Sequence, residues 1–200
     1  MKVLHLTNYF FPEYSGTTTR LYNIVHRLPF EIQLLTSDRT IKGEAVPLKQ
    51  EKFGNINVTR LPLSIGAPWK RSLPCQTFSE IKRDIKILAR ASTAQQFDIL
   101  HAHNSVVFGQ AAAQIARGCP FVFECHGLSH ETVKGQLKAI KGYYIQHTDK
   151  EVMRKSSHIL TLTNRLKDWL VRNYRISDEK ITVLPNGVDT RHFTPGREYG

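Results

Sequence analysis

The stretch DILHAHNSVVFGQAAAQIARGCPFVFECHG, residues 98–127, decides the fold. Asp98 to His101 is a short apolar run, Val106 to Ala116 has helical spacing, and Phe121 to Cys125 is a second short apolar run. Two apolar strands joined by a helix are a parallel pair with its crossover, and continuous apolar strands of this kind are covered on both faces.

The same alternation extends in both directions. Upstream, residues 3–7 (VLHLT) form a strand, a loop rich in aromatics follows, and Thr18 to Leu28 reads as a helix. Glu31 to Thr36 and Ile56 to Leu61 are further strands, with a polar, lysine-bearing loop between them that is expected to be mobile. From Phe78 to Ala91, Phe78, Ile81, Ile85, Leu88 and Ala89 fall on one helical face, with Lys82, Arg83, Lys86 and Arg90 on the other. Downstream, a long helix is expected from about Thr132 to Lys155, then strand His158 to Leu162, helix Arg165 to Tyr174 and strand Lys180 to Leu184. The fold class is therefore α/β, a doubly wound parallel sheet of Rossmann-like type, whose ligands gather at the carboxyl ends of the strands.

Composition narrows the class. Two hundred residues with 40% hydrophobic content suit one sizeable core. The amino terminus, MKVLHLTNYFF, lacks a small-residue cleavage site, and no apolar stretch approaches the roughly 18–20 residues of a membrane span. Cys75, Cys119 and Cys125 are odd in number and lack close pair spacing, which points to reduced thiols. A cytoplasmic protein is expected, able at most to lie on the inner face of a membrane. The net charge of +11 is concentrated in residues 39–90, with eleven basic against four acidic groups, and in residues 130–200, with thirteen against eight. Such a field attracts phosphates, anionic lipid or an acidic partner, and equally serves as a solvated surface. Trp69-Lys70-Arg71 is the one short piece that interleaves an aromatic with basic residues, and no helix-turn-helix, zinc or RNP pattern accompanies it, so nucleic acid is not an expected partner.

The strand ends hold the candidate chemistry. After the first strand, Ser15-Gly16-Thr17 allows close backbone approach, and Thr17 to Thr19 can cap the next helix and favour an anion; a plain cap accounts for the same residues. The pattern is not GxGxxG, so no dinucleotide cofactor is indicated. His101, His103, Cys125 and His126 invite a metal reading, but no carboxylate or cysteine pairing supports a closed site, and no metal is expected. The stronger reading is a single histidine, His126, held at the sheet edge before Gly127 and able to hydrogen-bond a sugar hydroxyl or phosphate; a satisfied core histidine is the alternative, and His5 fits that description. Tyr9, His103, Asn104 and Gly127 follow strand ends and are candidates for lining the cleft.

Taken in order, NYFFPEYSG, FDILHAHN, PFVFECHG, HILTLTNRL and KITVLPNGVDTRHFTP resemble the amino-terminal domain of family-four retaining glycosyltransferases of the GT-B fold. The resemblance spans nearly the whole chain. It departs from the family in showing Ser15-Gly16-Thr17 where two glycines are usual, and it is expected to lack the carboxyl-terminal domain that, by the resemblance, holds the donor. The implied organisation is a Rossmann-like acceptor-binding domain over residues 1–185, the start of an inter-domain linker over 186–200, and a donor-binding domain that is absent.

What the resemblance implies is metal-independent transfer of a sugar, with retention, from a nucleotide sugar to a glycan or lipid-linked acceptor. Gly16 and Thr17 would approach the donor phosphates and His126 would contact the transferred sugar. Thr163 or Asn164 would line the cleft, and Asn186, Gly187 and Asp189 would shape the inter-domain edge. Because the transition state leaves a diphosphate, donors aimed at the phosphate oxygens contribute most, and this half alone is expected to be inactive. The rival readings are a stand-alone, non-catalytic module that binds anionic lipid or another polyanion, and a GT-B-like sugar-nucleotide epimerase. The stripe Val133, Leu137, Ile140 and Tyr144, with Lys134, Lys138 and Lys141 beside it, is the feature that would meet an anionic membrane.

Overall fold

In a computed structural model, residues 1–47, 49–64, 74–116, 118–128, 138–188 and 190 are described. Eight strands form one sheet: β1 (Lys2–Leu6), β2 (Glu31–Ser37), β3 (Gln50–Phe53), β4 (Ile56–Leu61), β5 (Ile99–His103), β6 (Phe121–Cys125), β7 (His158–Thr161) and β8 (Ile181–Val183). Their order across the sheet is β3-β4-β2-β1-β5-β6-β7-β8, and every pairing is parallel except the antiparallel β3–β4 edge. The order reverses between β1 and β5, the two central strands, which pair Val3 with Ile99 and His5 with His101. In an open α/β sheet such a switch point opens a crevice at the carboxyl edge.

The helices are α1 (Gly16–Val25), α2 (Pro74–Thr93), α3 (Gln110–Ile115), α4 (Lys138–Lys155) and α5 (Asn164–Tyr174). Side chains alternate across each strand, and the two apolar clusters follow that alternation. Val3, Ile32, Leu34, Ile56 and Val58 pack with Leu21 and Val25 of α1 on one face. Leu4, Leu6, Leu35, Leu100, Phe121, Phe123 and Ile159 pack on the other with residues from α2 to α5, including Ile85, Ala111, Val152 and Leu170. A fully buried side chain of this size contributes roughly 1.5–3 kcal/mol, so the larger cluster dominates the core.

Three local features depart from the sequence expectation. The loop expected between β2 and β4 carries the edge strand β3, which pairs Phe53 with Ile56. Gly54, at φ +61°, makes the tight turn, and Asn55 Nδ2 donates to the carbonyls of Val25, Leu28 and Phe30 below it. The polar alternation of QEKF reads as loop because an edge strand need not be apolar. The helix from α1 begins two residues earlier than the apolar spacing, since the Ser15 side chain accepts from Thr18 N and caps it. The expected helix over Val106 to Ala116 opens as a π turn over Ser105–Gly109, with Gly109 N donating to Asn104 O at 2.8 Å, before α3 begins. A Cβ on Gly109 would meet Val152 Cγ1 at 2.7 Å, so the missing side chain lets this turn lie against α4.

The first part of the expected long helix, including Val133, Lys134 and Leu137, lies outside the described residues, as do Trp69-Lys70-Arg71 and Asp189. Within α4 the apolar stripe divides. Tyr144 packs on the core, Ile140 is exposed, and Lys141 is buried where the sequence placed it beside the stripe. No helix among the described residues is long and apolar enough to cross a membrane.

Candidate functional site

Parallel pairing sets the site. The register aligns His5 with His101 and His103 with Glu124, and alternation turns these four side chains to the face that α1 covers. His126 continues the Glu124 row two residues further on, past the end of β6. Cys125, between them, points into the opposite cluster, where burial pushes its thiol up to about 12 and leaves it unreactive. The four residues are therefore not one ligand set, although Cys125 lines the same cavity as His103 and His126.

Glu124 is the centre of the arrangement and was not singled out from the sequence. Its Oε1 accepts from Arg20 Nε at 2.6 Å, and its Oε2 lies 3.2 Å from His101 Nε2 and 3.5 Å from His103 Nδ1. The His101 nitrogen approaches the carboxylate without the geometry of a hydrogen bond. Burial alone would push the Glu124 carboxyl up, but the contact with His101 and the fields of His103, His101 and His126 hold it well below the usual carboxylate range. Arg20 comes from the third residue after Thr17 on α1 and is itself buried. Its remaining nitrogens donate to Leu184 O at 2.8 Å, Pro185 O at 3.2 Å and Asn186 Oδ1 at 3.0 Å. One guanidinium thus ties the segment after β8 to the carboxylate under the site.

The histidines are linked to one another. His5 Nδ1 and His103 Nε2 are 3.2 Å apart, and His103 Nδ1 and His126 Nε2 are 3.2 Å apart, each pair hydrogen-bonded. Burial, then the field of His101, pushes His5 and His103 well below the ordinary imidazole value, and burial also lowers His126. Two groups, His5-His101-His103 and His103-Glu124-His126, bring ligand atoms within 4.8 Å of one another and are near enough to hold a metal. Hydrogen bonds already engage nitrogens of His5, His103 and His126, and the Arg20 cation lies against Glu124, whereas His101 Nε2 makes no hydrogen bond among the described residues.

Above this cluster lies a cavity of about 400 Å³ at the carboxyl ends of β1, β5 and β6. Of the residues singled out from the sequence, Tyr9, Ser15, Thr17, His103, Asn104, Cys125, His126 and Gly127 line it. Asn8, Glu124 and Asp149, which the sequence reading did not select, line it as well. Asn8 Oδ1 is buried without a hydrogen-bond partner among the described residues. Burial, then Glu13, pushes the Tyr9 phenol up, which keeps it a donor. Asn104 sits in the left-handed region at φ 76°, and its Oδ1 accepts from Val106 N at 3.1 Å.

The remaining candidates stand at the rim or apart. Gly16 begins α1 with open space where a Cβ would stand, so a ligand can come close to its backbone there. Thr163 caps α5 by accepting from Leu166 N at 3.1 Å, and neither it nor Asn164 is among the residues lining the cavity. Asn186 is held by Arg20, while Gly187 is exposed.

Solved structures of similar fold include longer chains of which this chain matches about half. The chain superposes on sucrose-phosphate synthase from Thermosynechococcus elongatus with a TM-score of 0.70 at 10% identity, over 95% of this chain and 49% of that one. It superposes on a UDP-forming α,α-trehalose-phosphate synthase from Burkholderia xenovorans with a TM-score of 0.63 at 11% identity, over 95% of this chain and 51% of that one. These likenesses establish a GT-B half with a Rossmann-like sheet. Residues 14–192 match the model of Glycosyltransferase Family 4, and the chain belongs to that family as its amino-terminal domain.

Two curated relatives agree. The UDP-Gal:α-D-GlcNAc-diphosphoundecaprenol α-1,3-galactosyltransferase of Escherichia coli is 28% identical over 130 residues, 63% of this chain and 33% of its own length. The D-inositol 3-phosphate glycosyltransferase of Stackebrandtia nassauensis is 34% identical over 116 residues, 54% of this chain and 26% of its own length. The aligned part of the chain spans a third or less of these relatives.

Proposed function

We propose that this chain is the acceptor-side half of a retaining glycosyltransferase that moves a sugar from a nucleotide sugar to a glycan or lipid-linked acceptor. The observation that carries the reading is the cavity at the switch point, with His126 on its wall and the segment after β8 tied by Arg20 to the carboxylate beneath. Gly16 and Thr17 offer backbone and hydroxyl to the donor diphosphate at the amino end of α1. His126 meets the transferred sugar, and Tyr9, Asn104 and Gly127 shape the space for the acceptor. Neutral and positive hydrogen-bond donors stabilise the leaving diphosphate without a metal, and most of those donors come from a second domain that completes the cleft. Residues 1–185 form the acceptor domain and Asn186 begins the linker, so this half alone transfers little or no sugar.

The test is a screen of nucleotide sugars with the full-length protein, followed by NMR of the product's anomeric centre. Transfer with the donor's configuration kept supports the reading. Transfer with inversion, or epimerisation of the free nucleotide sugar, overturns it.

A second reading concerns location. Ile140 and Tyr143 of α4 are 57% and 72% exposed on a strongly basic chain, which suits peripheral contact with an anionic membrane at the inner face. Co-sedimentation with anionic but not neutral vesicles, weakened in an Ile140→Ser, Tyr143→Ser variant, is the expected result. Equal recovery in the supernatant removes the idea.

A further inference from the structure

His5, His103 and His126 form an unbroken row of imidazoles in which His103 spends both ring nitrogens on its neighbours. A neutral imidazole has one N–H donor and one acceptor nitrogen. Neutral His103 must therefore donate at one end and accept at the other, which leaves the row two directions. In one, His126 Nε2 receives a proton donor and its own hydrogen sits on Nδ1. In the other, His126 donates from Nε2 and its lone pair sits on Nδ1.

Glu124 separates the two. Its Oε2 lies 3.5 Å from His103 Nδ1, the same nitrogen that meets His126. An ionised carboxylate, here paired with Arg20 at 2.6 Å, accepts hydrogen bonds and donates none. Facing an N–H it attracts; facing a ring lone pair, between two almost wholly buried side chains, it repels. The carboxylate also faces His126 Nε2, but at 3.9 Å and through Oε1, which already accepts from Arg20 Nε; the nearer contact decides, and the hydrogen belongs on His103 Nδ1. His103 Nε2 is then the acceptor for His5 Nδ1–H, and the row runs from His5 through His103 to His126. His101, stacked on His103 at 4.4 Å, shares Oε2 and does not enter the row.

We propose that Glu124 and His103 are positioning residues that fix His126 as the Nδ1–H tautomer, so that the ring offers a ligand in the cavity a hydrogen-bond donor. The ligand atom at His126 is then an oxygen with a lone pair, from a hydroxyl, an ether or a phosphate, and a group that only donates is rejected there. The identity of that ligand as a sugar rests on the proposed transferase reading; the tautomer itself rests on the geometry of the rings and of the Glu124 carboxylate.

The experiment is two-dimensional NMR of the chain labelled with ¹⁵N at histidine, near neutral pH, where the protonated and bare ring nitrogens give separate signals. The expected result is a single Nδ1–H form of His126, with bare Nε2. An Nε2–H form in the wild type overturns the proposal. Glu124→Gln, whose amide can place an N–H against the His103 lone pair, is expected to move His126 toward Nε2–H; an unchanged spectrum removes Glu124 from the role. If that variant does not fold, His103→Phe serves, since it deletes the donor to Nε2 and is expected to give a mixture of tautomers. A single Nδ1–H form persisting in His103→Phe contradicts the row. None of these readouts depends on sugar transfer, so the proposal and the transferase reading fail separately.

Discussion

Arg20 Nε donates to Glu124 Oε1 at 2.6 Å, and both side chains are almost sealed from water, at 6% and 4% exposure. The pair joins α1 to β6, 104 residues apart in sequence, and the rest of the guanidinium reaches Leu184, Pro185 and Asn186. An isolated buried charge is costly, so each partner is stable only because the other is present.

Removing one partner is therefore expected to cost far more than removing both. Arg20→Met should lower stability by about 3–5 kcal/mol, read from urea denaturation, and Arg20→Met with Glu124→Leu should lose less than the sum of the single changes. Additive losses would show that the two groups are energetically independent.

Acid should weaken the fold in two stages. His5 and His103 sit below their ordinary value of 6.5, so the folded chain binds fewer protons than the unfolded chain, and stability is lost as pH falls below 6.5. Glu124 is also depressed, from an ordinary 4.5, so its contribution is complete above that value and is lost as pH falls further. Each buried histidine contributes a slope of up to about 1.4 kcal/mol per pH unit. Urea midpoints from pH 8 to pH 4 check this; a flat profile between pH 6.5 and pH 4.5 contradicts it.

Gly109→Ala should destabilise by roughly 1–3 kcal/mol, because the new methyl meets Val152 Cγ1 at 2.7 Å and Asn104 O at 3.2 Å. Thermal denaturation measures it. Trimming the neighbour with Val152→Ala should recover part of the Gly109→Ala loss; no recovery means that the clash is not the cause.

Asn104 combines a left-handed backbone with a side-chain bond to Val106 N. Asn104→Ala loses both advantages and should cost about 1–2 kcal/mol, while Asn104→Gly restores the backbone freedom and should cost less. Equal losses for the two substitutions would mean that backbone strain plays no part.

Much of the fold was legible in the sequence because parallel strands buried on both faces read as short apolar runs. Ile56 to Leu61 and Phe121 to Cys125 fall where the periodicity put them. The strand β3 escaped because QEKF lies on an edge and carries no apolar signal. At the site, His126 and the cavity residues around it stood out because each follows a strand end. Glu124 and Arg20 did not, since their roles come from contact between distant elements. A local signal did exist: Glu124 is a lone charge within an apolar strand, two residues before His126 and on the same face. Likewise Arg20 lies on the buried side of α1 beside Leu21, a position that requires a charged partner.

The most direct test of the account is the rate of sugar transfer by the full-length protein and its His126→Ala variant, using a nucleotide sugar that the wild type accepts. His126 is 24% exposed at the cavity wall, so its loss should leave the fold intact. The account predicts that kcat falls on the order of 10²-fold, as for the loss of a hydrogen-bond donor to the transition state, with little change in thermal stability. An unchanged kcat would contradict the placement of the transferred sugar at His126.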